Sequence, residues 1–167
     1  MEKIFSAAVV ILLVVWVSCS PQNKTEQTKN EDVQATPTHA LLKFEEVIQT
    51  IESNLDSFSF SNRKTDTVLI DFWATWCRPC INEINKIQAG EMVIPDHVDF
   101  MAISIDDDKA AWESFVSAKN MSWPQYNMVN DKALEKLQVN LIPNKILLDF
   151  TDSSMILDFP PEAISQL

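Results

Sequence analysis

The chain reads as an α/β sandwich, a mixed sheet with helices on both faces. Three observations predict it. Two apolar runs, "DTVLIDFWA" at 66–74 and "VDFMAISI" at 98–105, place hydrophobic residues on both alternating sets. Both of their faces should therefore be buried, as in central parallel strands covered by helices. Between and beyond these runs the apolar residues change to helical spacing. The resulting order, β-α-β-α-(α)-β-β-α, is that of helices packed on a sheet. With 167 residues, 46% of them hydrophobic, the chain can bury one substantial core.

The opening "MEKIFSAAVVILLVVWVSCS" has Lys3, then an apolar run from Ile4 to Val17. A membrane span needs roughly 20 residues, so this shorter run suits a secretory signal over 1–18. The run stops at Val17-Ser18-Cys19, which resembles a bacterial lipoprotein signal with Cys19 as the lipidated residue. Residues 19–40 should form a lipid-anchored flexible linker, since 21–39 offers only Val33 and Ala35 as aliphatic residues. The domain then runs from 41 to 167.

Phe44, Val47, Ile48, Ile51 and Leu55 recur at helical spacing and predict the first helix. The strand at 66–74 follows. Cys80 to about Ala89 reads as a helix carrying Ile81, Ile84 and Ile87 on one side. The strand at 98–105 should lie parallel to the first through a right-handed helical crossover. Trp112, Phe115 and Val116 mark the buried stripe of the next helix, and Leu134 and Leu137 that of a short one at 131–138. "NKILLDF" and "SMILDF" read as a hairpin turning at 151–154, which should add an antiparallel strand at one edge. Pro160 and Pro161 open a final short helical stretch with Ile164 and Leu167.

"TVLIDFWATWCRPC", 67–80, places Cys77 at the end of a strand and the start of a helix. Helical N–H groups there lack partners and carry the positive end of the macrodipole, so a thiolate is favoured. Arg78 adds a positive charge, and Pro79 suits the first turn. Cys80 lies one turn on, within reach of a disulfide. A structural zinc site needs four ligands, yet there is no second CxxC, and the histidines are His39 and His97. A purely structural disulfide across so short a loop removes little chain entropy. Redox exchange is the reading that the local chemistry favours.

"DFWATWCRPC" resembles the active-site strand and turn of thioredoxin-like proteins, and 41–167 resembles the TlpA/ResA-type thiol-disulfide oxidoreductases. "AISIDDDKAAWESFV", "MSWPQY" and "LIPNKILLDF" support the likeness. It implies a thioredoxin-like three-layer sandwich in which Cys77 attacks a partner disulfide and Cys80 resolves the mixed disulfide. Asp71 then matches the acidic residue beneath the pair, where burial should raise its pKa. Pro143 matches a cis-proline facing the disulfide, which leaves the backbone of Ile142 to pair with an extended substrate. Trp76, Arg78 and Pro79 complete the substrate-binding set, and Trp73 is expected in the core.

No cofactor is implied beyond the redox-active Cys77–Cys80 disulfide, and no metal. The implied partners are protein disulfide substrates and a membrane or envelope electron donor. The chain should act as a monomer, lipid-anchored in the bacterial envelope and facing the periplasm, with the outer membrane favoured. Two alternatives are a disulfide oxidant and a copper-binding thioredoxin-like chaperone using soft thiolates. The latter usually adds a late histidine, whereas His97 comes early. A net charge of −11 argues against nucleic acid. Asp106-Asp107-Asp108 reads as helix capping. The chain departs from the likeness in its single glycine, Gly90, in Asn144 after Pro143, and in a short last helix.

Overall fold

Everything is arranged about β1 (Thr67–Trp73), the first of the expected strands. The computed structural model describes residues 42–167, so the expected signal at 1–18, Cys19 and the linker at 19–40 lie outside the described residues. β1 pairs in parallel with β2 (Val98–Ser104) through the crossover helix α2 (Arg78–Gln88). Helix α1 (Phe44–Asn54) precedes β1, and α3 (Lys109–Lys119) follows β2. Then come β3 (Gln125–Asn127), α4 (Asp131–Lys136), β4 (Asn144–Asp149), β5 (Ser154–Leu157) and a 3-10 helix, Pro161–Gln166. The five-stranded sheet has the order β3-β2-β1-β4-β5.

The alternation of β1 decides the layers. Val68, Ile70 and Phe72 join Val47 and Ile51 of α1, Met101 and Ile103 of β2, and Ile146 and Leu148 of β4 in one core. The opposite face holds two apolar clusters. Trp73 packs with Cys77, Cys80, Ile84 and Trp112, while Leu69 packs with Leu147, Phe159 and Ile164. Asp71 stands between Leu69 and Trp73 on that face, and is itself buried.

Two features go beyond the expected order. The sequence pattern does not show β3, because three residues are too few to show a period. The hairpin adds the expected antiparallel edge strand, β5, and also places β4 within the sheet. β4 pairs antiparallel with β1 inside the sheet, and only β5 is at the edge. Ile146, Leu147 and Leu148 of β4 are all buried, so this strand needs cover on both faces, which an edge position would not give. On β5, Ile156 is half exposed.

The lone glycine has a clear place. α2, α3 and α4 each end with two crossed backbone bonds, and the residue between takes a left-handed conformation. At α2 that residue is Gly90 (φ 73°), at α3 Asn120 (φ 50°), and at α4 Gln138 (φ 61°). After α4, Val139 N–H donates to Leu134 O and Gln138 N–H to Glu135 O, the pattern for which glycine is the usual residue. A left-handed non-glycine residue costs about 1–2 kcal/mol, against about 0.5–1 for the extra freedom of glycine in the unfolded chain. Gln138→Gly is therefore expected to stabilise the domain by about 0.5–1 kcal/mol. The check is the urea midpoint, which should rise at unchanged slope; a lower midpoint would contradict it.

Candidate active site

Cys77 closes the loop that leaves β1. Its N–H donates to Ala74 O at 3.0 Å, and its backbone is extended, so it caps α2 without joining it. Its Sγ accepts the Cys80 N–H at 3.3 Å. The sulfur thus occupies the place of an N-capping oxygen, at the positive end of the helix. Pro79 is in the first turn, where it forfeits no bond. Cys77 and Cys80 form a disulfide, with 5.3 Å between their Cα atoms. Both are buried, Cys80 more deeply, at 1% exposure against 5%.

The loop is tied down from β2. Asp106 accepts from Thr75 N–H at 2.9 Å, Thr75 Oγ1 at 2.7 Å and Ser104 Oγ at 2.7 Å. This corrects the reading of the acidic triplet as capping. Asp108 does cap α3, accepting from Ala111 N–H, but Asp106 is buried and fastens the segment leading into Cys77. Asp106 is a residue that the sequence reading missed; three adjacent acids look alike until the fold turns one inward.

Beneath the site lies a charged cluster. Asp71 is at mid-strand and 2% exposed, not at a strand end reaching water. In the antiparallel register Asp71 faces Lys145 of β4, also 2% exposed. Lys145 Nζ lies 2.9 Å from Asp71 Oδ1, an ion pair without a well-directed hydrogen bond. The Lys145 hydrogen bond goes to Glu83 Oε2 at 2.5 Å. Glu83 stands one turn beyond Cys80 on α2, with its side chain 15% exposed. Loss of hydration drives Asp71 up to about 6; Lys145 pulls it down, and Glu83 adds to the rise. Burial acts to lower Lys145, but Asp71 and Glu83 outweigh it and hold its pKa above the ordinary value. Asp71 can therefore change protonation near neutral pH while Lys145 stays an ammonium. Lys145 and Glu83 were not singled out from the sequence. The signal was a lysine inside an otherwise apolar strand, "NKILLDF", where β-propensity disfavours it.

Of the remaining candidates, Trp76, Arg78 and Pro79 adjoin the cysteines in the chain, and Ile142 packs against their cluster. Trp76 is 67% exposed, whereas Trp73 is fully buried. Arg78 and Pro79 are exposed at the start of α2. Ile142 packs against the cluster that contains Cys77 and Cys80, and the Ile142–Pro143 bond is cis. Leu141 beside it is 82% exposed. Cys19 lies outside the described residues. His97 lines a pocket with Thr67, at the start of β1, while Cys77 follows its end. That is roughly 20 Å along a strand, so His97 does not join the sulfurs. A cavity of about 340 Å³ lined by Phe58, Phe60 and Tyr126 also reaches the start of β1, at Val68, and neither cysteine lines it.

Residues 64–155 match the family described as thioredoxin-like. The thiol-disulfide oxidoreductase ResA of Geobacillus kaustophilus is 25% identical over 83 residues, covering 49% of this chain and 48% of its own length. The sporulation thiol-disulfide oxidoreductase A of Bacillus subtilis is 23% identical over 153 residues, covering 89% of this chain and 84% of that protein. A Bacteroides vulgatus protein, solved in solution and described as a candidate thiol-disulfide oxidoreductase, superimposes with a TM-score of 0.52 at 30% identity. That alignment covers 64% of this chain and 72% of the other. The chain spans about half the length of the first ResA relatives it matches, 48% and 55%.

Proposed function

The chain belongs to the thioredoxin-like family, and from that premise we propose that it is a thiol-disulfide oxidoreductase that reduces disulfides in exported proteins. The observation that carries this is the Cys77–Cys80 disulfide at the start of α2, with Cys77 Sγ in the capping position. Reduced Cys77 attacks one sulfur of a substrate disulfide, which breaks that bond and releases one substrate thiolate. Cys80 gives up its proton and attacks Cys77 Sγ. The mixed disulfide breaks, the second substrate thiolate leaves, and the Cys77–Cys80 bond forms. Asp71 takes the Cys80 proton, which suits a carboxylate titrating at about 6. Trp76, Arg78 and Pro79 line the approach, and Ile142 and Pro143 receive an extended segment of the substrate. No resident cofactor beyond the disulfide is required.

The apolar run ending at Cys19 supports lipid attachment and export to the envelope, facing the periplasm, with the outer membrane favoured. Among the described residues no helix is long and apolar enough to cross a membrane. Each turnover leaves the pair oxidised, so a membrane or envelope electron donor must restore it. The domain works as a monomer on protein substrates.

The test is the reduction potential of the Cys77–Cys80 couple, equilibrated against dithiothreitol or glutathione mixtures. A value at or below about −250 mV is expected for a reductase, and one near −120 mV would reverse the direction of transfer. Absence of a reversible couple would sink the oxidoreductase reading itself.

A further inference from the structure

The turn that carries Trp76 and delivers Cys77 is held by one side chain from outside it. Ala74 O accepts the Cys77 N–H at 3.0 Å, so Thr75 and Trp76 are the central residues of a closed four-residue turn. Asp106 takes both groups that Thr75 can donate, the N–H at 2.9 Å on Oδ2 and the hydroxyl at 2.7 Å on Oδ1. Asp106 is braced in its own right. Ser104 Oγ donates to Oδ2 at 2.7 Å and accepts the Asp106 N–H at 3.0 Å, while Asn127 Nδ2 donates to Asp106 O at 2.9 Å. Ser104 and Asn127 end β2 and β3, so the tops of two strands are fastened to the turn that leaves a third. Thr75 is only half-buried, so water could serve its N–H and hydroxyl. A carboxylate at 3% exposure is costly to bury, and among the described residues no basic side chain pairs with Asp106. The arrangement therefore secures the position of Thr75 rather than satisfying its polar groups.

Resting on the oxidoreductase reading above, we propose that Asp106 is a positioning residue for the attacking step: through Thr75 it locks the Ala74–Cys77 turn, and so keeps Cys77 Sγ at the start of α2 once the disulfide has opened. In the oxidised protein the Cys77–Cys80 bond itself holds that sulfur beside the Cys80 N–H. Reduction removes this tether. The turn then decides whether the Cys77 thiolate stays at the N-terminal end of α2, where the helix favours it. Attack is the step so served. The electron pair of the thiolate forms the bond to one substrate sulfur, the substrate S–S bond breaks, and the other sulfur leaves as a thiolate. Of the charges around Cys77, Arg78 adjoins it in the chain, Asp106 stands behind Thr75, and Asp71, Lys145 and Glu83 form the cluster beneath. The side chains of Trp73, Trp112 and Ile142 in its own cluster carry no charge. A substitution at Thr75 leaves every one of these charges in place.

The measurement is the rate of Cys77 alkylation by iodoacetamide against pH in the reduced whole chain, read at Cys77 by peptide mass spectrometry. Thr75→Val removes the hydroxyl bond with no change of charge. It should raise the Cys77 midpoint by about half a unit, the size of a helix-end contribution to a thiolate, and Thr75→Ser should restore it. Asp106→Asn should raise the midpoint too, because its amide NH2 faces donors where an oxygen accepted. The same loss should draw the equilibrium with dithiothreitol toward the oxidised protein by up to about threefold. A purely structural contact would lower the urea midpoints of oxidised and reduced protein alike and leave that equilibrium in place. A midpoint that falls in Asp106→Asn would make the carboxylate a nearby charge, and one unmoved in Thr75→Val would make the contact structural; either overturns the proposal. Because Thr75 is half-buried, Thr75→Val folds even if Asp106→Asn does not. Wild-type protein without a reversible cysteine couple would instead defeat the oxidoreductase reading, and the proposal with it.

Discussion

Cys77→Ser is expected to lower disulfide reduction to below about one-thousandth of the wild-type rate, because the attacking sulfur is gone and no other group replaces it. Among the described residues the other cysteine is Cys80, which is 1% exposed and lies a turn inside α2. Cys80→Ser should behave differently. It leaves Cys77 at the helix start, so attack continues, but the mixed disulfide cannot resolve and accumulates. Reduction of insulin disulfides by dithiothreitol measures the first effect. A band of added mass on a non-reducing gel, removed by thiol, measures the second. If Cys77→Ser keeps turnover, or Cys80→Ser traps nothing, the assignment of attacking and resolving sulfurs fails.

Asp71→Asn should flatten the dependence of stability on pH. Burial raises Asp71 in the folded domain from its ordinary 3.8 to about 6. The sign follows from linkage: the native state binds the proton more tightly than the unfolded chain. Stability from this group is fully present below pH 3.8 and is lost as pH rises toward and through 6. The full loss is about 3 kcal/mol, at about 1.4 per pKa unit. Urea unfolding at pH 4 and pH 7 should thus show a difference in wild type that shrinks in Asp71→Asn. Comparing the two proteins at each pH cancels the titration of surface acids. A variant with the same pH dependence as wild type would mean that Asp71 is not held as its burial requires.

The elements that sequence made legible are those whose pattern is long enough to repeat. β1 and β2 were visible because both alternating sets are apolar, and α1 because Val47, Ile51 and Leu55 return at helical spacing. β3 has no such length, and its place is set by β2 and the Pro124 carbonyl, which accepts from Ala102 N–H. The end of α4 was equally silent, since Gln138 carries no hint of the left-handed conformation it adopts.

For the site, the cysteine pair could be read directly, because a thiol's chemistry depends on its place at a helix start, a local matter. Asp71 could be flagged by its misfit within an apolar strand, but what it faces could not. Its partners come from residues 12 and 74 positions onward, Glu83 and Lys145. Likewise Thr75 and Asp106 meet although 31 positions separate them. The sequence by itself determined the fold class and the cysteine pair at a helix start, since both rest on periodicity and neighbouring residues. Only the tertiary structure decided which charges share the buried site. Coulomb interaction and desolvation act through distance in space, and strand order and register alone fix that distance.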